Sequence, residues 1–183
     1  MLTNIILKYL TIGLKYIYGY EALNLLMNNL PSKKINYILR LYGAKIGKNV
    51  RIKSPIIIHG ADFHKKFYFN LHIGNDVYLG RDCIIDLTNQ VIIKDNVTIS
   101  HRVVFNTHIN LGESHILKKK YYPSTVGKII VEQGTYIGSN VTILQNVTIG
   151  SNSLIGACSL VNKDIKSGYR AFGVPCRENK KLI

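Results

Sequence analysis

One histidine stands apart from the other five. His108 falls in the stretch VTISHRVVFNTHIN (residues 97–110), just ahead of a segment, Leu111–Val126, whose residues LGESHILKKKYYPSTV gather an imidazole, a lysine run and two tyrosines. Imidazole is the one side chain that is neutral and basic near pH 7 without special tuning, so a histidine at the edge of a loop can remove a proton from an attacking group. His101, seven residues earlier, is its rival, but its position suits a turn. His59, His64, His72 and His115 have no comparable context, and the run Lys118, Lys119, Lys120 taken alone reads as a solvated surface.

What must hold His108 in place is a repeat. Aliphatic residues recur every six positions: Ile46, Ile52, Ile58; Ile73, Leu79, Ile85; Ile93, Ile99, Phe105; and then, unbroken, Val131, Ile137, Ile143, Ile149, Ile155, Val161. A second, smaller inward position lies four residues after many of these, at Val50, Val77, Cys83, Val97, Val103, Val141, Val147, Ser153 and Ser159. No helix has this period. A six-residue step suits a short flat strand and a tight turn, three such faces making one coil of a prism in which each aliphatic residue stacks on its counterpart one coil later. The turns read Gly-Lys-Asn, Gly-Asn-Asp, Lys-Asp-Asn and twice Gly-Ser-Asn, residue types that accept left-handed backbone angles at low cost. Extra residues in a solenoid leave as loops on its binding face, and 111–126 is the largest.

Composition sets the limits. The 183 residues suffice for one domain with a real core, and 46% hydrophobic against 19% charged residues excludes a disordered chain. The balance of 24 Lys plus Arg against 10 Asp plus Glu, +14 overall, favours contact with phosphates, nucleic acid or an anionic membrane without choosing among them. Cys83, Cys158 and Cys176 are odd in number and dispersed, which fits a reducing cytoplasm.

Before the repeat lies an apolar lead. Lys8, Lys15 and Glu21 interrupt any run long enough to span a bilayer, and no signal-peptide pattern is present. At helical spacing Asn4, Lys8, Thr11 and Lys15 form one narrow stripe with apolar residues around the rest. Such a helix needs a greasy partner. The preferred expectation is that it packs on the main domain or a neighbouring subunit; the other is that it lies in a membrane interface, at the inner face of the membrane. Asn29, Leu30 and Pro31 break it, Ser32 is expected to cap a second helix through about Leu41, and Gly43 ends that one. Three parts follow: a helical segment 1–42, a repeat domain 43–172 with the loop 111–126, and a tail 173–183.

The repeat with His108 at its largest insertion resembles the hexapeptide-repeat acyltransferases. The stretch TYIGSNVTILQNVTIGSNSLIGACSLVNKDIKSGYRAFGVPCR (135–177) is similar to the C-terminal signature of galactoside, maltose and capsular-sugar O-acetyltransferases. The resemblance implies a mainly β fold, a left-handed parallel β-helix, with acetyl-CoA as co-substrate and an acetyl group passed to the hydroxyl of a sugar or polysaccharide precursor. It makes His108 the general base and a backbone N–H of the Gly138-Ser139 turn the oxyanion donor. It places Ser139, Ala157, Asn162 and Lys163 against acetyl-CoA, with Arg177 and Lys180 available for its phosphates. Sites between the subunits of a homotrimer are implied as well. Two departures bear on the acceptor: Tyr136 stands where an indole usually precedes the IG, and LGRDCIIDL, with Arg81, Asp82 and Asp86, replaces the segment carrying the acceptor-handling asparagine. Arg81, Asp82, Asp86, His101 and Tyr136 are therefore the candidate acceptor contacts. The lead ending LPSKKINYILRLYGAKIGKNV resembles the start of polysaccharide and lipid-linked-sugar acetyltransferases. Two other classes compete: a γ-class carbonic anhydrase with zinc on histidines, whose paired spacing is not matched, and a basic non-catalytic binding module. No metal and no nucleic-acid partner are expected.

Overall fold

In the computed structural model, residues 2–60, 68–110, 116, 120–121 and 124–183 are described. The six-residue step folds as expected, into a left-handed parallel β-helix of three faces. Face A holds Lys45–Ile46, Leu71–Ile73, Val91–Ile93, Ile129–Val131 and Val147–Ile149. Face B holds Arg51–Ile52, Tyr78–Leu79, Thr98–Ile99, Tyr136–Ile137, Leu154–Ile155, Tyr169–Phe172 and Arg177–Lys181. Face C holds Ile56–His59, Cys83–Asp86, Val104–Phe105, Thr142–Ile143 and Leu160–Val161.

Parallel register puts each aliphatic residue on its counterpart. On face A, Ile46, Ile73, Ile93, Val131, Ile149 and Ile165 form one column. Face B stacks Ile52, Leu79, Ile99, Ile137, Ile155 and Ala171; on face C, Ile85, Phe105, Ile143 and Val161 continue from Ile58. The second inward position is buried too, down to Ser153 and Ser159, whose hydroxyls donate to the Lys166 and Gly156 carbonyls. Burying one such aliphatic side chain contributes about 1.5–3 kcal/mol, so the columns supply most of the driving force.

Three helices precede the coils: α1 (Leu2–Tyr18), α2 (Glu21–Met27) and α3 (Ser32–Leu41). The lead is thus two helices rather than one, broken at Gly19, whose φ of +69° an L side chain rarely adopts. Pro31, not Ser32, is the N-cap of α3, and no side chain caps it. The Ser32 hydroxyl instead donates to the Val50 carbonyl and accepts the Ile52 N–H, tying α3 to the first coil. Ile35, Ile38 and Leu39 then close that end of the core. Through Asn24 and Asn28, which bond the Ile58 carbonyl and the Ile56 N–H, α2 is held on the first strand of face C. Three of the four stripe residues of α1 turn toward the rest of the chain while Lys8 stays exposed: Thr11 is buried, Lys34 Nζ donates to Asn4 as well as to Thr3, and Lys15 lies over the Tyr20 and Tyr42 rings. The chain's own domain therefore packs on Leu7 and on the stripe apart from Lys8, not on the apolar circumference. At the other end the tail folds back, with Arg177–Lys181 antiparallel to Tyr169–Phe172.

Candidate active site

The three corners of the prism differ. From A to B and from B to C the chain turns within a few residues, using left-handed backbone at Asn49, Asp76, Asn96 and Asn152 on one corner and at Asp82, Arg102, Asn140 and Cys158 on the other. The corner from C to A takes up residues 60–70 and 106–128. His108 stands there, where a short ribbon pairs it with Val126 and Ile109 with Thr125. That ribbon fixes both feet of the insertion. Of the insertion itself, His115, Lys118, Lys119 and Tyr122 lie outside the described residues, while Lys120 and Tyr121 are exposed.

Asp86 sits beneath His108. Its Oδ1 accepts the Thr88 N–H at 3.0 Å and hydroxyl at 2.7 Å. Its Oδ2 accepts the Thr107 N–H at 2.8 Å and hydroxyl at 2.6 Å, and lies 2.6 Å from His108 Nδ1. Burial by itself would raise this carboxyl, but the hydrogen bonds from Thr107, His108 and Thr88 outweigh it and bring the pKa down to about 2. An ionised carboxylate only accepts, so the neutral imidazole must carry its proton on Nδ1 and leave the Nε2 lone pair free. The His108 side chain is 25% exposed, that of Asp86 only 4%. The arrangement is an imidazole on a fixed mount, open to one side. Asp86 is thus turned inward, its oxygens engaged by its own chain, rather than set among the acceptor contacts where the sequence reading put it.

His59, given no context from the sequence, is in this corner. Its ring stacks on His108 with centroids 6.1 Å apart and planes 21° from parallel. The signal was available in the coil period: His59 follows Ile58 as Asp86 follows Ile85, and the two pair in register. Continuing along the same corner, Asn162 and Lys163 follow Val161 on the surface, and Arg177 Nη1 reaches the Asn162 Oδ1 at 3.5 Å.

The remaining sequence candidates gather elsewhere. Arg81, Asp82, His101 and Ser139 share a hollow of about 370 Å³ at the B to C corner. His101 Nδ1 accepts the Arg81 N–H at 3.0 Å, tying this turn to the one a coil earlier. Ser139 and Ser100 hydroxyls are 2.7 Å apart, and the Cys158 N–H donates to the Ser139 carbonyl, which stacks the turn containing Ala157 on that containing Ser139. This stacking is close: a Cβ on Gly138 would lie 2.6 Å from the Ala157 nitrogen. The Gly138 N–H is used by the Ile155 carbonyl; among the described residues the Ser139 N–H meets no acceptor. Tyr136 lies on the open side of face B between Thr98 and Leu154, away from His108 in the same chain. Lys180 sits opposite Arg170 in the terminal hairpin.

Comparisons with known proteins agree with this architecture. Residues 128–163 match the bacterial transferase hexapeptide family model (six repeats). Galactoside O-acetyltransferase of Escherichia coli is 35% identical over 143 residues, 76% of this chain and 64% of that enzyme, so the chain spans a little under two thirds of this relative. Among solved structures, a galactoside acetyltransferase in complex with coenzyme A is 31% identical with a TM-score of 0.75, covering 89% of this chain and 78% of that one. A maltose O-acetyltransferase from Clostridium difficile is 28% identical with a TM-score of 0.75, over 89% and 84% of the two chains. At this identity and coverage, the chain belongs to the hexapeptide-repeat acetyltransferase family.

Proposed function

We propose that the chain transfers an acetyl group from acetyl-CoA to a hydroxyl of a sugar or of a sugar-containing polysaccharide precursor, with His108 as general base. The observation that carries this reading is the ionised, buried Asp86 holding His108 Nδ1 at 2.6 Å. As the acceptor hydroxyl attacks the thioester carbonyl carbon, its proton passes to His108 Nε2. Charge gathers on the carbonyl oxygen, for which the Ser139 N–H is the available donor. Collapse breaks the carbon–sulfur bond, and the leaving thiolate recovers the proton from His108.

The residues around the two corners fit this co-substrate. Ser139 and Ala157 are small enough for a thin pantetheine arm to approach the backbone, while Lys163, Arg177 and Lys180 supply charge for phosphates. His108 and Ser139 stand at opposite ends of face C in one chain, so a substrate that touches both lies between two copies. A homotrimer of prisms packed by their flat faces provides this. On the acceptor side we place His59, which shares the corner with His108. Arg81, Asp82, His101 and Tyr136 then line the site from the neighbouring copy. The repeat domain 43–172 carries catalysis, with 1–42 and 173–183 as additions to its two ends, and the reaction belongs in the cytoplasm, where acetyl-CoA is made. The acetyltransferase relatives favour this reading over a zinc hydratase or a binding module.

Release of free CoA thiol from acetyl-CoA, measured against a panel of sugars and nucleotide sugars, tests it. The expected result is release that depends on an acceptor and is lost in His108→Ala, with CoA binding by calorimetry retained in both. Failure of the wild type to bind CoA at low salt would overturn the assignment.

A further inference from the structure

The helix α1 is built inside out for a chain surrounded by water. Leu7 and Thr11 are its buried residues, whereas Ile5, Ile6, Tyr9, Leu10, Ile12, Tyr16 and Ile17 are between 44% and 91% exposed. At 100° per residue Ile5, Tyr9, Ile12 and Tyr16 run down the side opposite Leu7 and Thr11, with Ile6 and Ile17 beside them and no charge among them. A contiguous apolar surface of this kind marks an interaction site. A separate apolar hollow of about 570 Å³, lined by Leu14, Tyr18, Glu21, Ala22, Leu25 and Leu26, lies between α1 and α2 on the Leu7 side of α1.

Charge identifies the occupant. Residues 1–60 carry nine basic residues (Lys8, Lys15, Lys33, Lys34, Arg40, Lys45, Lys48, Arg51, Lys53) and one acidic residue, Glu21, a net +8 of the +14 of the whole chain. Lys8 is exposed on the flank of the apolar face, and Lys34 is anchored at its N-terminal end by bonds to Thr3 and Asn4. A second copy would set one positive surface against another. An anionic bilayer matches both features, taking the apolar face below its headgroups and the lysines at them. No helix among the described residues is long and apolar enough to cross a membrane. At 1.5 Å per residue α1 is about 25 Å long, which suits a helix lying along the surface.

We propose that the outward face of α1 docks this enzyme on the surface of a membrane containing anionic lipid. This goes beyond the acetyl-transfer reading and does not depend on which hydroxyl is modified. It is tested without turnover, by sedimenting the full chain with vesicles of phosphatidylcholine alone and of phosphatidylcholine with phosphatidylglycerol, at low and at high salt. Binding is expected to the anionic vesicles and to weaken with salt. Ile6→Glu with Ile12→Glu, both on the exposed face, should reduce partitioning at least about 10²-fold with the circular dichroism melt unchanged. Lys8→Gln, which leaves the apolar face intact, should reduce it about fivefold. The proposal fails if the wild type ignores anionic vesicles at low salt, or if it binds them and neither variant weakens it. It also fails if the Ile6→Glu, Ile12→Glu variant lowers the particle mass in light scattering while the wild type does not bind vesicles, since a second copy then covers the face.

Discussion

Two corners of one prism are fed by the same hexad and end in different uses. The B to C corner turns tightly through Asp82, Arg102, Asn140 and Cys158, each with φ between +57° and +60°. The C to A corner admits residues 106–128, yet the ladder restarts across the gap in register, with Phe105 on Ile143 and Ile93 on Val131. The cost of closing a loop grows slowly with its length, so the columns tolerate an excursion that leaves at a corner. Among the described residues, the tight B to C corner aims no side chain at another coil's carboxylate. His108 sits two residues past the ladder position of Asn106, and this slack lets its ring come down on Asp86, whereas the His101 ring is spent on the Arg81 amide one coil away.

The sharpest way to break this contrast is to empty each corner of its imidazole. Loss of a positioned general base costs on the order of 10² to 10⁴ in rate, so His108→Ala should lower kcat by that factor at unchanged CoA affinity, while His101→Ala should cost less than about tenfold. Comparable losses at the two would mean that the corners are not functionally distinct. Next in size is the mount. Asp86→Asn can present an N–H to His108 Nδ1 and so favour the tautomer with its proton on the wrong nitrogen; kcat should fall on the order of 10²-fold or more. The effect should lie in kcat rather than KM, and the pH profile of kcat should shift with it. A merely structural Asp86 would change the melting temperature and leave the profile in place.

The sequence revealed more of the scaffold than of the site, for a physical reason. Ile137, Ile143, Ile149 and Ile155 are periodic because stacking demands one residue type at one step, and a period is visible in one chain. The same period carries His59 and Asp86 to one corner, but only once the coils on either side of residues 60–70 are put in register. That Asp86 faces inward depends on Thr88 and Thr107 turning their hydroxyls toward it, which no spacing records. The helix α1 shows a related limit: the spacing displays Asn4, Lys8, Thr11 and Lys15 as one polar stripe, but not that Lys34 bonds Asn4 and that Tyr20 and Tyr42 take Lys15, while Lys8 stays exposed.

Acid separates the corners by a smaller amount. The Asp86 carboxyl lies at about 2 in the folded chain against an ordinary 3.8, so its ionised form favours folding. That contribution, about 2 kcal/mol, is complete above roughly pH 4 and is lost as the pH falls through about 2. In Asp86→Asn this part of the acid limb should vanish, and urea midpoints at pH 6 and pH 2 should differ less than in the wild type. Equal differences in the two proteins would refute the charged mount.

Smallest is the backbone difference itself. Asn140 holds φ at +57° in the tight corner; Asn106, at the ladder position where the C to A insertion departs, has an ordinary φ. The left-handed region costs an L residue with a Cβ about 1 kcal/mol or more, less for Asn, whose side chain bonds locally. Asn140→Ala should therefore lower stability by about 1 kcal/mol and Asn140→Gly by less, while Asn106→Ala should change it by only about a few tenths. Thermal melts of the three variants decide the matter. Should Asn140→Gly be no more stable than Asn140→Ala, left-handed backbone is not what holds the tight corner, and the contrast between the corners must rest on what crosses them.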